Sequence, residues 1–276
     1  MAATKDAQTQ AEPSRKLVKS LTARMDASLL PGETALDKKE LEEAARFLLR
    51  TAHERVGMEP KIAIESVSGT KRMLRIAIVN PDMPFLVDSA AAAIAAAQVS
   101  IDTLVHPVVP VVRDENGVLE EILSGDPEPA LYESMIYLET TRADARTRRE
   151  LLQALEETMA DVHAAVADWP GLQDAMRADA QAIEGDHPEG AALLSWLEAG
   201  MLTQLGHMAR TRSGTVTECL GICREGAAPI LADASFDRAF DWFDADENAR
   251  APLIIKANHV SRVHRRVPLD LLLVPR

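Results

Sequence analysis

The chain of 276 residues is long enough for roughly two ordinary domains, and its 47% apolar content can fill a core, which excludes wholesale disorder. Thirty Lys and Arg against 43 Asp and Glu leave a net charge of −13 and a pI near 5.0. Phosphate backbones and anionic membrane surfaces are therefore repelled, and neither nucleic acid nor a membrane is expected as a partner.

Residues 1–34 are polar, carry Pro13, Pro31 and Gly32, and show a weak apolar pattern around Leu17 to Leu30; they read as a loose tail or a short docking segment. The start lacks an apolar signal core, and the longest plain apolar run, Ala90 to Ala97, is too short to span a bilayer. The two cysteines, Cys219 and Cys223, fit a reducing compartment, so a cytoplasmic location is expected. The spacing of Leu41, Ala44, Ala45, Leu48 and Leu49 predicts a helix over 36–53, with Asp37 as N-cap and Glu40 three residues later completing a capping box. Met73 to Val79 alternates, with Leu74, Ile76 and Ile78 on one face, and predicts a strand.

After it, in Asn80-Pro81-Asp82-Met83-Pro84-Phe85, Asp82 is placed to cap a helix and Pro84 to sit in its first turn. That helix is expected to run to about Gln98, with a thin face of Ala90, Ala91, Ile94 and Ala97. Val99 to Arg113 is extended but interrupted by Pro107 and Pro110, which suggests an edge or bulge. Asp114-Glu115-Asn116-Gly117 then turns the chain so that Val118 to Leu123 folds back as a hairpin. Tyr132 to Thr140 is a further strand. Leu151, Leu155, Met159, Val162, Val166 and Trp169 recur at helical steps, and Pro170-Gly171 is expected to break that helix.

Residues 172–190 are polar and acidic, and Gly185 to Gly190 marks an expected boundary between a domain over 35–184 and a smaller α+β region over 185–276. The latter shows a helix around Ala191 to Glu198 and extended runs at Leu202–Thr211, Val216–Cys223, Pro252–Asn258 and Val267–Val274. The last run stops at Pro275-Arg276 without a closing element, a hint of a longer chain.

No two of the 13 glycines are separated by a single residue, so a Gly-x-Gly-x-x-Gly dinucleotide turn is absent. The pairs Gly185/Gly190 and Gly221/Gly226 have P-loop spacing but are followed by Ala rather than Lys. Neither a Gly-x-Ser-x-Gly elbow nor a His-Glu-x-x-His pair occurs, and no lysine lies between Lys71 and Lys256. No catalytic residue, metal or cofactor is expected in this chain.

The order strand, helix, strand, hairpin, helix in residues 72–168 looks like the βαββαβ sandwich of ACT-type regulatory domains, an α+β fold in which an antiparallel sheet carries its helices on one face. Four stretches are more specific: Ile78-Val79-Asn80-Pro81-Asp82-Met83-Pro84-Phe85-Leu86-Val87-Asp88-Ser89, Val105-His106-Pro107-Val108, Asp161-Val162-His163 on to Trp169-Pro170, and Lys256-Ala257-Asn258 followed by Val263-His264-Arg265. In this order and spacing they resemble the N-terminal region of the large bacterial NAD-dependent glutamate dehydrogenases, over most of residues 40–276. The resemblance implies a regulatory or assembly region of an enzyme that converts glutamate and NAD to 2-oxoglutarate, ammonia and NADH. NAD would then serve the full-length enzyme, and the partner would be the remainder of the dehydrogenase chain or a homo-oligomer. A free-standing amino-acid sensor and a purely structural oligomerisation module are the alternatives. The sequence departs from the family at Gln204-Leu205-Gly206-His207, where an aromatic run of the Phe-Leu-Gly-Tyr kind is expected, and at Leu271-Leu272.

Two groups of residues are candidates for binding. The first is the strand-to-helix junction, with Asn80, Asp82, Met83, Asp88, Ser89 and, from the next strand, His106; helix N–H groups and the helix dipole suit the carboxylate of an amino-acid effector there. The same residues could simply cap and shape the junction, and the two carboxylates would repel an anion. The second is the basic cluster Lys256, Asn258, Arg262, His264 and Arg265, which could hold an anion or an acidic partner surface, or be a solvated hairpin. Cys219 and Cys223 with Glu218 and His207 invite a metal reading, but residues four apart in an extended segment lie about 13 Å apart, too far to share a zinc. Trp169, Trp196 and Trp242 read as packing residues.

Overall fold

The computed structural model describes residues 12–29, 36–68, 72–245 and 251–275. The expectations on residues 1–11 and 30–35, and on Arg276, lie outside them. The chain forms two compact units, Met1–Glu157 and Thr158–Arg276, so that the division falls within a long helix and not in the 185–190 stretch.

In the first unit α1 (Arg15–Ser28) and α2 (Lys38–Ala52) precede β1 (Lys61–Val67) and β2 (Met73–Pro81), α3 (Leu86–Ala96) connects β2 to β3 (Ile101–Val105), and β4 (Val108–Arg113), β5 (Leu119–Ile122) and β6 (Leu131–Thr141) follow. The 23-residue α4 (Ala145–Ala167) leads out of the unit. The strands make one antiparallel sheet in the order β1-β2-β6-β4-β5, with β3 also paired to β6, and the fold is α+β and ACT-like as expected.

Period-two side-chain alternation explains how this sheet is buried. Ala77, Val79, Met135 and Tyr137 share one face and pack with α1 and α2, where Phe47 meets the Tyr137 ring edge-on at 6.5 Å. Leu74, Ile76, Ile78, Ile136 and Leu138 point the other way and are also fully buried. The sheet therefore has no solvated face, and α1 and α2 supply a layer that the sequence reading leaves bare. Val18, Leu21 and Met25 of α1 are core residues, so the segment expected as tail or docking helix is, over 15–28, a docked helix. The Asp37–Glu40 capping box forms at the start of α2 as its spacing predicts. β1 has no counterpart in the sequence reading, because Lys61 to Val67 mixes charge and apolar residues and none of its side chains is fully buried.

The junction after β2 corrects two expectations. Asp82 does not cap α3: its backbone N–H donates to the Tyr132 carbonyl at 3.0 Å, so sheet pairing carries the chain past the position where the cap was placed. The cap position belongs to Phe85, held at φ 72° in the left-handed region and making no side-chain cap bond, and Pro84 precedes the helix. The helix ends at Ala96, with Gln98 at φ 58°, and not at Gln98.

One buried ionic group pins the entry of β6. Glu133 is fully buried and accepts from Arg55 Nε (2.9 Å) and Nη2 (2.7 Å) and from Arg113 Nε (2.6 Å) and Nη2 (2.8 Å). Arg113 Nη1 also donates to the Gly117 carbonyl, and the Arg55 backbone N–H does the same at 3.0 Å. Gly117 needs its lack of a side chain here, since φ is +82° and a Cβ would sit 2.4 Å from the Arg55 carbonyl oxygen.

In the second unit Pro170-Gly171 ends α4 but starts a new helix, α5 (Trp169–Ile183), instead of a polar loop; proline fits the first turn because its missing N–H has no intrahelical acceptor to lose. There follow α6 (Pro188–Trp196) with a π turn at Leu197–Met201, the hairpin β7 (Gly206–Arg210) and β8 (Val216–Gly221), α7 (Asp233–Phe243), and the hairpin β9 (Leu253–Val260) and β10 (Pro268–Leu273). The four expected extended runs thus appear as two antiparallel hairpins. α7 is absent from the sequence reading, although Phe236, Ala239, Phe240 and Phe243 recur at helical spacing. Ala180, Ile183, Ala191 and Leu194 of α5 and α6 form this unit's small core, with Leu272 and Val274 against it.

Candidate functional site

The strand-to-helix junction is built by the β2–β6 register, which sets Asn80 opposite Ser134 and Pro81 opposite Glu133. Asn80, Ser134 and Ser89 are fully buried polar residues in an otherwise apolar sheet and helix. The Asn80 amide donates to the Pro81 carbonyl at 2.8 Å. His106, which follows β3, brings its Nε2 to 2.5 Å from the Ser134 hydroxyl, and Pro107 beside it accepts at its carbonyl from the Met135 N–H at 3.0 Å. Burial holds the His106 imidazole below its ordinary pKa, against the pull of the Asp82 carboxylate, so the ring is neutral at neutral pH. Asp82 and Asp88 are exposed, Met83 is half-buried, and Asp88 falls in the first turn of α3, where a carboxylate suits the helix dipole.

Of the six expected junction residues the structure links three: Asn80 lies opposite Ser134 in the β2–β6 register, His106 reaches that serine, and Asp82 lies close enough to act on the His106 ring, while Asp88 and Ser89 stand in the first turn of α3. Met83 joins them only through its place in the loop. Ser134 is the member that sequence reasoning missed, and the signal for it was slight, a serine at an inward position of an otherwise apolar strand. Arg55, Arg113 and Glu133 were missed for the same reason that makes them matter structurally: partners 20 and 78 residues from Glu133 meet only in the folded sheet.

The basic cluster is not gathered in this way. Lys256, on β9, donates to Asp270 of β10 at 2.5 Å. Arg262 pairs with the buried Asp161 at 3.2 Å, and Arg224 reaches the same carboxylate at 2.9 Å. Asn258 and Arg265 are exposed, and His264 takes φ 62° in the turn. Two of the expected anion ligands are therefore spent on ion pairs within the second unit.

Cys219 and Cys223 are not in one extended segment. β8 ends at Gly221, whose φ of +59° and close approach to the Leu205 carbonyl turn the chain, and the Gly221 N–H donates to the Asp168 carboxylate at 2.6 Å. Burial pushes the Cys223 thiol up to about 11, with nearby Cys219 adding to the shift. His207 pairs with Glu218 at 3.1 Å, and among the described residues no group of three or more His, Cys, Asp and Glu side chains could hold a metal. Trp196 is 58% exposed and so is not the packing residue expected, whereas Trp242 stacks edge-on with Phe243 at 5.2 Å.

The second unit also holds a cavity of about 1060 Å³ that the sequence did not disclose, with Leu172, Met176, Leu194 and Phe240 among its lining.

Comparison with known proteins places the first unit. Residues 28–156 match the family described as glutamate dehydrogenase, ACT1 domain. That stretch is a glutamate dehydrogenase ACT1 domain. Two NAD-specific glutamate dehydrogenases are similar to the chain: that of Halomonas elongata, 29% identical over 144 residues, and that of Pseudomonas aeruginosa, 30% identical over 213 residues. The matches cover 48% and 69% of this chain but only 9% and 13% of the relatives. The matched stretch runs from the end of α1 into α4 and leaves α1 itself outside, and the kinship with these dehydrogenases agrees with the resemblance read from the Asn80 to Ser89 and Val105 to Val108 stretches. Among the described residues no helix is long and apolar enough to cross a membrane.

Proposed function

We propose that this chain is a non-catalytic regulatory region of a large, cytoplasmic NAD-dependent glutamate dehydrogenase, and that its ACT1 domain binds an amino-acid effector at the junction of β2 and α3. The observation that carries the reading is the group of Asn80, Ser134 and His106, linked by register and hydrogen bond at the end of β2, followed by a loop that holds a non-glycine residue, Phe85, in the left-handed region. Such local strain persists only where its surroundings fix it, and it concentrates at binding sites. Asp82 supplies a carboxylate for the effector's ammonium group, and the first-turn N–H groups of α3 face its carboxylate. The whole enzyme would use NAD to oxidise glutamate to 2-oxoglutarate and ammonia, with catalysis and NAD binding outside this region.

The mechanism is linkage. An effector that binds one arrangement of the junction more tightly than another biases whatever the region is joined to by that difference in affinity alone. The test is a thermal-shift measurement on this chain with 1 mM glutamate, other amino acids, 2-oxoglutarate and NAD. A site of about 10 μM affinity stabilises the folded form by about 2.7 kcal/mol at that concentration. The expected result is stabilisation by an amino acid that disappears in Asp82→Asn. Stabilisation by NAD, or by no amino acid, overturns the reading.

A further inference from the structure

The second unit contains two separate hairpins. β7 pairs only with β8, and β9 only with β10, among the described residues. A lone two-stranded hairpin is marginal in water and needs further strands or a helix to pack against; here α5 packs on β7 and β8 and Leu272 of β10 lies against the α5–α6 core, but one edge of each hairpin is left unpaired among the described residues. The cavity of about 1060 Å³ lies against particular strands of these hairpins. Every residue from Leu202 to Thr211 lines it, which includes all of β7, and so does every residue from Val267 to Pro275, which includes all of β10. β8 contributes Thr217 alone and β9 contributes nothing.

A strand that presents a face to a cavity lines it with alternate residues, whereas a strand that presents its edge lines it with consecutive ones. The unpaired edges of β7 and β10 therefore both open onto the same space. Its size fits one more strand. At a rise of about 3.3 Å, a strand spacing of about 4.8 Å and a sheet packing distance of about 10 Å, each residue takes about 160 Å³, so the cavity accommodates about six or seven residues. β7 has five residues and β10 six. The occupant must be free on both edges. All ten described strands are already paired along at least one edge, so no described strand of a second copy could enter without breaking its own hairpin. The wall is apolar through Leu172, Met176, Leu194 and Phe240, and this sets the occupant's inward side chains.

We propose that this cavity is a slot for one extended strand, apolar on its inward side, supplied by the remainder of the dehydrogenase polypeptide. Backbone pairing to β7 and β10 would join two hairpins into a single five-stranded sheet, the strand-addition mode of recognition, and would fasten the regulatory region to the part it regulates. The inference rests on the proposed function for the source of the strand, not for the slot itself.

The test is hydrogen–deuterium exchange on the whole 276-residue chain, read by mass spectrometry. The chain is measured alone, with a synthetic heptapeptide alternating valine and threonine, and with overlapping ten-residue peptides tiled across the part of the Pseudomonas aeruginosa relative outside its match. At ten times the Kd, exchange at Gly206–Arg210 and Pro268–Leu273 should slow by about elevenfold. The same peptides N-methylated at successive amides, so that both strand edges are blocked, should have no effect. No slowing with the heptapeptide, or slowing that survives N-methylation, overturns the slot. Slowing by the heptapeptide but by no tiled peptide overturns the dehydrogenase as source. The amino-acid thermal shift does not involve the slot, so the regulatory reading stands or falls separately.

Discussion

Replacing Glu133 by glutamine should damage the first unit more than any other single polar substitution in its sheet. Glu133 is fully buried, and the side chains of its partners Arg55 and Arg113 are 2% and 6% exposed, so two guanidinium groups share one carboxylate away from water. In Glu133→Gln the shape survives and Oε1 can still accept, but the amide nitrogen now faces the Arg113 Nη2 donor and two positive charges are left buried with no counter-charge. Breaking a buried ion pair of this kind costs about 3–5 kcal/mol. At about 2–4 °C per kcal/mol for a unit of this size, the melting temperature should fall by about 6–20 °C. Arg113→Met leaves a neutral Arg55–Glu133 pair and should cost less than Glu133→Gln, while the double variant should cost less than the sum because both act on one network. The assay is urea unfolding followed by the near-ultraviolet tyrosine signal, since Tyr132 and Tyr137 both lie in this unit. A loss below about 1 kcal/mol for Glu133→Gln, or strict additivity, would refute the account of the triad as a buried charge cluster.

Other consequences follow from particular side chains. His106 is held below its ordinary pKa by burial, so the unfolded chain binds the extra proton first; stability should fall as pH drops below about 6.5, by at most about 1.4 kcal/mol per pH unit from this group, and His106→Gln should flatten that slope in denaturation curves measured from pH 7.5 to 5. Gln98 is exposed at φ 58° just past the end of α3, so Gln98→Gly should raise stability by about 0.5–1 kcal/mol, and a loss would show that its side chain contributes more than its backbone costs. With its thiol near 11, Cys223 is about one part in a thousand thiolate at pH 8, so iodoacetamide should label exposed Cys219 first; equal labelling rates would contradict the burial of Cys223.

Much of this architecture was legible in the sequence because it rests on local periodicity and turn chemistry. The capping box at Asp37, the alternation of Leu74, Ile76 and Ile78, the Asp114 to Gly117 turn and the heptad-like steps from Leu151 to Val162 each express a conformational preference within one element, and each element formed. The stretches Asn80 to Ser89 and Val105 to Val108 also carried the kinship with glutamate dehydrogenases before any geometry was known. What failed were features whose energy comes from elsewhere in the chain. The sheet, not the side chain of Asp82, fixed where α3 begins, because a ladder bond to Tyr132 outcompeted a cap. A weakly patterned segment became α1 because the second face of the sheet needed covering, and mixed β1 found its place by pairing with β2. Arg262 and Lys256, neighbours in a basic stretch, were separated by Asp161 and Asp270. Ser134 joined His106 across 28 residues, and the second unit folded around a cavity that gathers residues from Leu172 to Pro275. Local preference is written in a few consecutive residues, whereas buried charge pairing, hydroxyl partners and unpaired edges are set by which distant segments meet, and only the folded chain decides that.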